Sequence, residues 1–297
     1  MLDNLEIQYF KMESAPIWAR LIDRLGWVQI IDEYVGSSEQ CKLSVGTRVK
    51  ALLVNIATDR RALYQVEKFY AERDVEVLMG SGVRAEDLND DALGRALDAI
   101  YRAGPQELFS RVALSTLLSL KVLDCFEDFI PVHADTSSLS VYGEYPEQAR
   151  NLRALQDPFQ IVRGYSKDGR PDLRQIIFGN VTVLGLPIYG SVDSGNTDDH
   201  SWNEDTIGGL AKVFTSEIRG KMVYIADSAA VTERNLTALA DTGQSFISRL
   251  PSTFTLCAHL KQAAWEKEDA WQDIGRLAKA KDGAHYKIQS FRRELYG

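Results

Sequence analysis

Residues 126–145 read FEDFIPVHADTSSLSVYGEY, and here the chain changes from a helical to a strand-like rhythm. Phe129, Ile130 and Val132 open an alternating, β-former-rich run, the pattern of a half-buried strand. The two serines predict a bend around Ser137-Ser138. A polar, turn-rich stretch follows, RGYSKDGRPDLRQ, with Asp168-Gly169 and Arg170-Pro171 as its turn signals. IIFGNVTVLGLPIYGSVDSGN then reads as two strands joined at Leu184-Gly185-Leu186-Pro187, a hairpin. SWNEDTIGGLAKVFTSEI is a helix, KMVYIADSAA a short buried strand, VTERNLTALADTG a helix closed by Gly243, and QSFISRLPSTF a further strand. The order strand, strand, strand, helix, strand, helix, strand predicts a mixed α/β sheet that begins antiparallel and ends in βαβ crossovers.

Working outward from this core, residues 1–120 read as helical. APIWARLIDRLGWVQIIDEYV places Trp18, Leu21, Ile22 and Leu25 at helical spacing, with Pro16 in the first turn. VGTRVKALLVNIATDRRALYQVEKFYAER is a longer periodic stretch in which Val49, Leu52, Leu53 and Ile56 can share a face. Asp90 or Asp91 is expected to cap DALGRALDAIYRAG, and the next helix restarts at Pro105. The domains read as 1–120 helical, 121–252 α/β core and 253–297 a strand-rich continuation, because AHYKIQSFRREL has strand character.

Composition limits the partners. The chain has 297 residues, 45% hydrophobic and 26% charged, which excludes wholesale disorder. Its net charge of −8 is spread evenly along the chain, so bulk charge points to no nucleic acid. No apolar run reaches the ~18 residues a membrane helix needs, and the first residues, MLDNLEIQYFKMES, have no signal-peptide pattern. Cys41, Cys125 and Cys257 are isolated and lack metal spacing, so they read as buried thiols of a reducing compartment.

Two aspartates stand out. Asp135 follows the apolar start of the first strand, and Asp227 lies at the carboxyl end of Met222–Ile225, each flanked by Ala and a hydroxyl residue. Strand carboxyl ends are where α/β sheets place ligands. Carboxylates gathered there repel unless a hard cation such as Mg²⁺ or Mn²⁺ joins them, and such ions can drive phosphoryl transfer. An Asp at such a junction is otherwise a cap or turn residue. His133 would point the same way as Asp135 and reads as a core hydrogen-bond partner or a metal or phosphate contact. Ser194–Asp199 with His200 reads as a strand-to-helix loop, the alternative being His200 as a metal ligand together with Asp198 and Asp199. Lys167, Arg170 and Arg174 could grip DNA phosphates or form a solvated turn.

VHADTSSLSVYGEY, GYSKDGRPDLRQIIFGNVTVLGLPIYGSVDSGNTDD and YIADSAAVTERNL together resemble the catalytic core of DDE-type insertion-sequence transposases, the IS-four superfamily with its Tn-five-like members. The resemblance implies a ribonuclease-H-like fold and an Mg²⁺- or Mn²⁺-dependent enzyme that cleaves transposon-end DNA and joins it to target DNA. It implies Asp135 and Asp227 as the first two metal-holding catalytic carboxylates. The third, a Glu on a late helix, has no matching position here, and Glu233 and Glu294 read as solvated residues rather than substitutes. On this resemblance residues 253–297 begin a strand-rich insertion and the chain stops short of that helix. The same resemblance implies that residues 1–120 bind transposon-end DNA or a second protomer. The partners are then double-stranded DNA and that protomer, and the setting is the bacterial cytoplasm, near the nucleoid. The alternatives are a remnant that only binds DNA or dimerises, and an Mg²⁺-dependent phosphohydrolase acting on a small substrate.

Overall fold

A computed structural model describes residues 9–36, 42–143, 145, 159–277 and 283–296. It divides into two compact units. The first gathers Met1–Ile130 with Phe178–Asp193 and Gly209–Thr215, and the second holds Pro131–Ile177, Ser194–Gly208 and Ser216–Gly297.

Seven helices run through the described part of the N-terminal region: α1 (Ala15–Arg24), α2 (Trp27–Val35), α3 (Val45–Thr58), α4 (Val66–Ala71), α5 (Val75–Met79), α6 (Asp90–Ala103) and α7 (Pro105–Ser119). The single helix expected over 15–35 is two, because Gly26 adopts φ 68°, a left-handed value that ends one helix and aims the next elsewhere. The buried face of α1 is Ala15, Ala19 and Ile22, while Trp18 and Leu21 lie partly exposed. The face expected for α3 holds in part, since Leu52 and Leu53 pack half-buried against the core, as Ile22 and Leu25 are buried around α1. Ala51, Val54, Asn55 and the aliphatic stems of Arg48 and Lys50 point inward, and Ile56 is exposed. Long cationic side chains can bury their stems while the heads find a polar environment, and Lys50 does so by reaching Asp23 Oδ1 at 2.7 Å. Asn89, rather than Asp90 or Asp91, caps α6, accepting from the Ala92 N–H at 2.9 Å. The acids just inside the helix instead complement its dipole. The break at Gly104 and the restart at Pro105 are as expected.

Arg73 is the largest fully buried side chain among the described residues. Its guanidinium donates to Phe69 O and Glu13 Oε2, each at 2.7 Å, and lies 3.6 Å from the Phe69 ring centroid. Truncation to Arg73→Ala removes packing, a charge-assisted hydrogen bond and the cation–π contact together. It should cost about 3 kcal/mol in urea unfolding; an unchanged midpoint would show the site collapses freely. The Glu13 carboxyl is held below its ordinary value by Lys11 and, more weakly, by Arg73. Its pairing therefore stabilises the fold above the ordinary Glu range and is lost as the pH falls through the depressed value.

The α/β part carries β1 (Ile130–Val141), β2 (Arg174–Val183), β3 (Leu186–Ser194), α8 (Asp199–Val213), α9 (Ser216–Lys221), β4 (Met222–Ile225), α10 (Glu233–Asp241) and β5 (Ser245–Ile247). These strands form one five-stranded sheet in the order β3-β2-β1-β4-β5. Leu184 and Gly185, with φ 51° and 77°, make the two-residue turn between β2 and β3, whose positive φ values match the twist of paired strands. β4 and β5 pair in parallel, Tyr224 opposite Phe246, with α10 as the crossover. β1 runs unbroken through Ser137 and Ser138, so the expected bend is absent; both serines continue the in-out alternation, Ser138 inward and Ser137 outward. Tyr224 Oη donates to Asn203 Oδ1 at 2.8 Å, tying β4 to α8.

Beyond residue 253 a helix comes first, α11 (Thr255–Glu266), which the sequence reading did not assign. The strand character appears afterwards, in the antiparallel pair β6 (Gln272–Arg276) and β7 (His285–Ile288). Cys125 is exposed in a surface turn and Cys257 is half-buried, so neither is the buried thiol expected; Cys41 lies outside the described residues. No helix among the described residues is long and apolar enough to cross a membrane.

Candidate functional site

β1 is the central strand of the sheet, and β4 is its neighbour. Asp135 is the sixth residue of β1, not a residue beyond its end, and sits on the exposed face with His133. Its side chain is 83% exposed, and its Oδ1 accepts from the Thr136 N–H at 2.8 Å. Asp227 stands two residues past β4. There it begins a short 3-10 turn, Ser228–Ala230, and accepts from the Ala229 N–H at 2.9 Å. Ser248, just beyond β5, donates to the Asp227 carbonyl at 2.6 Å.

Lys167 enters the same neighbourhood from the turn-rich stretch. Its Nζ lies 3.6 Å from Asp135 Oδ1 and 3.3 Å from Asp199 Oδ2. It also donates to Thr136 O and to Thr136 Oγ1. Thr136 Oγ1 in turn donates to Asp199 Oδ1 at 2.6 Å. Arg170 and Arg174, grouped with Lys167 by sequence, go elsewhere. Arg170 forms a two-pronged pair with Asp172, which raises its pKa and lowers that of Asp172, and Arg174 donates to Ile161 O at 3.0 Å.

Close backbone approach puts Lys167 in place. The segment before it bridges to β2, the Gln175 N–H donating to Val162 O at 2.9 Å. Buried Gln175 donates from Nε2 to Gly195 O at 2.7 Å and to Tyr165 O at 2.9 Å. A Cβ on Gly164 would fall 2.0 Å from Gly195 O, and one on Gly195 would fall 2.2 Å from Gln175 O. Glycine is required at both positions by space, and the Lys167 N–H can then donate to Ser138 Oγ at 3.0 Å.

The stretch SGNTDDH does more than turn. Asp198 precedes α8 and accepts from the His200 and Ser201 N–H groups, and these hydrogen bonds, Ser201's first, hold its carboxyl below the ordinary Asp range. Asp199 faces Thr136 and Lys167, whereas His200 Nδ1 lies 2.6 Å from Ala229 O, beside Asp227. That distance to a carbonyl makes Nδ1 the protonated, donating nitrogen. One helical turn thus reaches toward both aspartates. Asp198→Ala should cost about 1 kcal/mol, the worth of a helix cap, read as a lower urea midpoint; a midpoint unmoved at neutral pH would remove it as a cap. The sequence reading does not place Thr136 in the site, and it takes Asp199 as a loop residue, with a metal-binding role beside His200 only as the alternative. The signal was the doubled Asp198-Asp199 at a helix start, where the first acid caps and the second is left free to meet Thr136 and Lys167.

The oxygen donors on Asp135 and Asp227 suit a hard divalent ion in kind. Among the described residues no three His, Cys, Asp or Glu side chains gather closely enough to hold one. The Lys167 ammonium supplies the local positive charge. An exposed pair of this sort is worth no more than about 1 kcal/mol, so a divalent ion could displace it from Asp135.

The strand order 3-2-1-4-5, with Asp135 on the middle strand, defines an α/β chain of ribonuclease-H-like architecture behind an N-terminal helical region. Residues 7–114 match the family model of a domain of unknown function, DUF4277. No curated protein matches the chain. Among solved structures, a pre-cleavage Mos1 transpososome is similar at 11% identity and TM-score 0.28, over 77% of this chain and 67% of that one. The Mos1 strand transfer complex is similar at 12% identity and TM-score 0.27, over 77% and 66%, and the Mos1 mariner paired-end complex with Mn at 12% and 0.27, over 77% and 67%.

Proposed function

We infer that this chain is a DDE-type transposase-like protein that acts on double-stranded DNA, with Asp135 and Asp227 as its metal-holding catalytic carboxylates. The observation that carries this reading is their placement, one on the central strand and one just past the adjacent strand, both reaching solvent. An Mg²⁺ or Mn²⁺ ion held there would supply charge neutralisation and an activated oxygen nucleophile for phosphodiester cleavage. Thr136 would orient Asp135 through its N–H, and Lys167 would occupy the anionic site while no divalent ion is bound. Lys167 also stands where a DNA phosphate could meet a cation.

The position of Lys167 favours a second reading as well, a chain that binds DNA without cutting it, because an ammonium already balances Asp135 and Asp199. Incubating the purified chain with plasmid and short duplex DNA, with Mg²⁺, Mn²⁺ or chelator, tests both readings. Metal-dependent strand breaks support the first. Binding that weakens steeply with salt, without breaks, supports the second. Neither breaks nor salt-sensitive binding would sink both and leave metal-dependent hydrolysis of a small phosphate ester as the activity to assay.

A further inference from the structure

The helical unit contains a cationic cavity that the reading above does not use. It measures about 670 Å³ and opens between α3, α6 and the residues just before α3. That volume is of the size small-molecule ligands fill. Lys42, Arg48, Arg95 and Arg102 all line it, while no acidic side chain does among the described residues. On α6 the spacing Arg95, Ala99, Arg102 puts two guanidinium groups on one face with a small residue between them, which leaves the space open.

Arg48 makes the cavity more than a basic surface. It is 9% exposed, and its Nε is buried without a hydrogen-bond partner. Neither Arg48 nor Arg95 has an ion-pair partner among the described residues. Lys42 is held by Asp87 at 2.6 Å, and Arg102 is only 4.0 Å from Asp98. A guanidinium cannot lose its proton to escape burial, so the buried, unpartnered Nε edge of Arg48 is destabilising while no anion meets it. A counter-anion bound in the cavity would remove that cost. The start of α3 adds little, since Asp32 accepts the Gly46 N–H and Ser44 Oγ the Thr47 N–H. The side chains make the site.

We propose that this cavity binds a phosphate group, supplied either by a free nucleotide or by a nucleic-acid backbone. Arg48 and Arg95, the two lining cations without an ion-pair partner among the described residues, together exceed what a single carboxylate neutralises, whereas a phosphate carries more charge and accepts the forked donors of arginine. Leu43, Val45 and Ala99 add apolar wall that a nucleoside could cover. This proposal stands independently of catalysis at Asp135 and Asp227.

Calorimetric titration of the whole chain at low salt with inorganic pyrophosphate, with ATP and with a short blunt DNA duplex tests it. At least one of the three is expected to bind, and R48Q and R95Q should each weaken that binding by about 10-fold or more. Binding of ATP and pyrophosphate alone identifies a free nucleotide as the source. Binding of the duplex alone, with the same sensitivity, identifies the backbone. Arg95 is exposed, so R95Q keeps the fold and decides the matter if R48Q loses its circular dichroism. Failure of all three probes to bind, or native affinity in folded R95Q, overturns the proposal.

Discussion

Asp135→Asn is expected to lower divalent-metal-dependent DNA cleavage by more than about 100-fold while leaving the unfolding midpoint nearly unchanged. The magnitude follows from the role proposed for it. Loss of a group merely supporting a metal ligand costs 10–100-fold, so loss of a ligand charge should cost more. The stability half follows from geometry. The side chain is 83% exposed, and the amide that replaces it can still accept the Thr136 N–H. Asp227→Asn should behave alike, because its bond to the Ala229 N–H also survives as an amide oxygen. Lys167→Met carries the opposite sign for metal affinity. It removes the ammonium that a divalent ion must displace from Asp135, so Mn²⁺ should bind more tightly, by calorimetry or Mn²⁺ relaxation. Cleavage by Asp135→Asn at the native rate would exclude Asp135 from the chemistry. Weaker Mn²⁺ binding by folded Lys167→Met would show that Lys167 assembles the site rather than competing in it.

Gly195→Ala should destabilise the fold by about 3 kcal/mol, the upper range for forcing extra atoms into packed surroundings. Its added carbon would lie 2.2 Å from Gln175 O and 2.3 Å from Val162 O, and both are backbone atoms that cannot swing aside. Relief requires separating the 159–167 segment from β2, which breaks the bond from the Gln175 N–H to Val162 O and withdraws Lys167 from Thr136. The variant should therefore show both a lower urea midpoint and the metal-binding behaviour of Lys167→Met. Gly169→Ala is the control. It strains a positive φ of 68° but has nothing within 4 Å of the added carbon, so its cost is the smaller left-handed penalty of ~1 kcal/mol. Equal midpoints for the two variants would refute the close-approach argument.

Elements with strong local signals were legible in the sequence. The β2–β3 hairpin followed from alternation around Leu184-Gly185, and the α6–α7 break from Gly104-Pro105. Which face of a helix turns inward was legible only in part in α1 and α3, where Ile22, Leu25, Leu52 and Leu53 pack inward but Trp18, Leu21 and Ile56 do not. There, alanines and the stems of Arg48 and Lys50 displaced larger apolar residues from the interior. Burial depends on which neighbour a face meets, and a small residue wins where two helices approach closely. The α11 helix was overlooked because it buries little, Ala264 being its one fully buried residue among those described, so it carries no strong apolar stripe.

The sequence by itself determined the alternation of strands and helices and, within it, the two aspartates at β1 and β4. Those depend on hydrophobic period and turn chemistry, which act over a few residues. Tertiary structure alone decided that Lys167 meets Asp135 and Thr136, that Asp199 meets Thr136 and Lys167, that Arg170 and Arg174 do not join them, and that Arg48 is buried in a cavity lined by other cations. Such meetings join residues 30 or more positions apart, |i−j| being 31 for Lys167 to Thr136 and 63 for Thr136 to Asp199. No local preference encodes them. They follow from backbone approaches such as that of Gly195 to Gln175, where the absence of a side chain matters more than the presence of one.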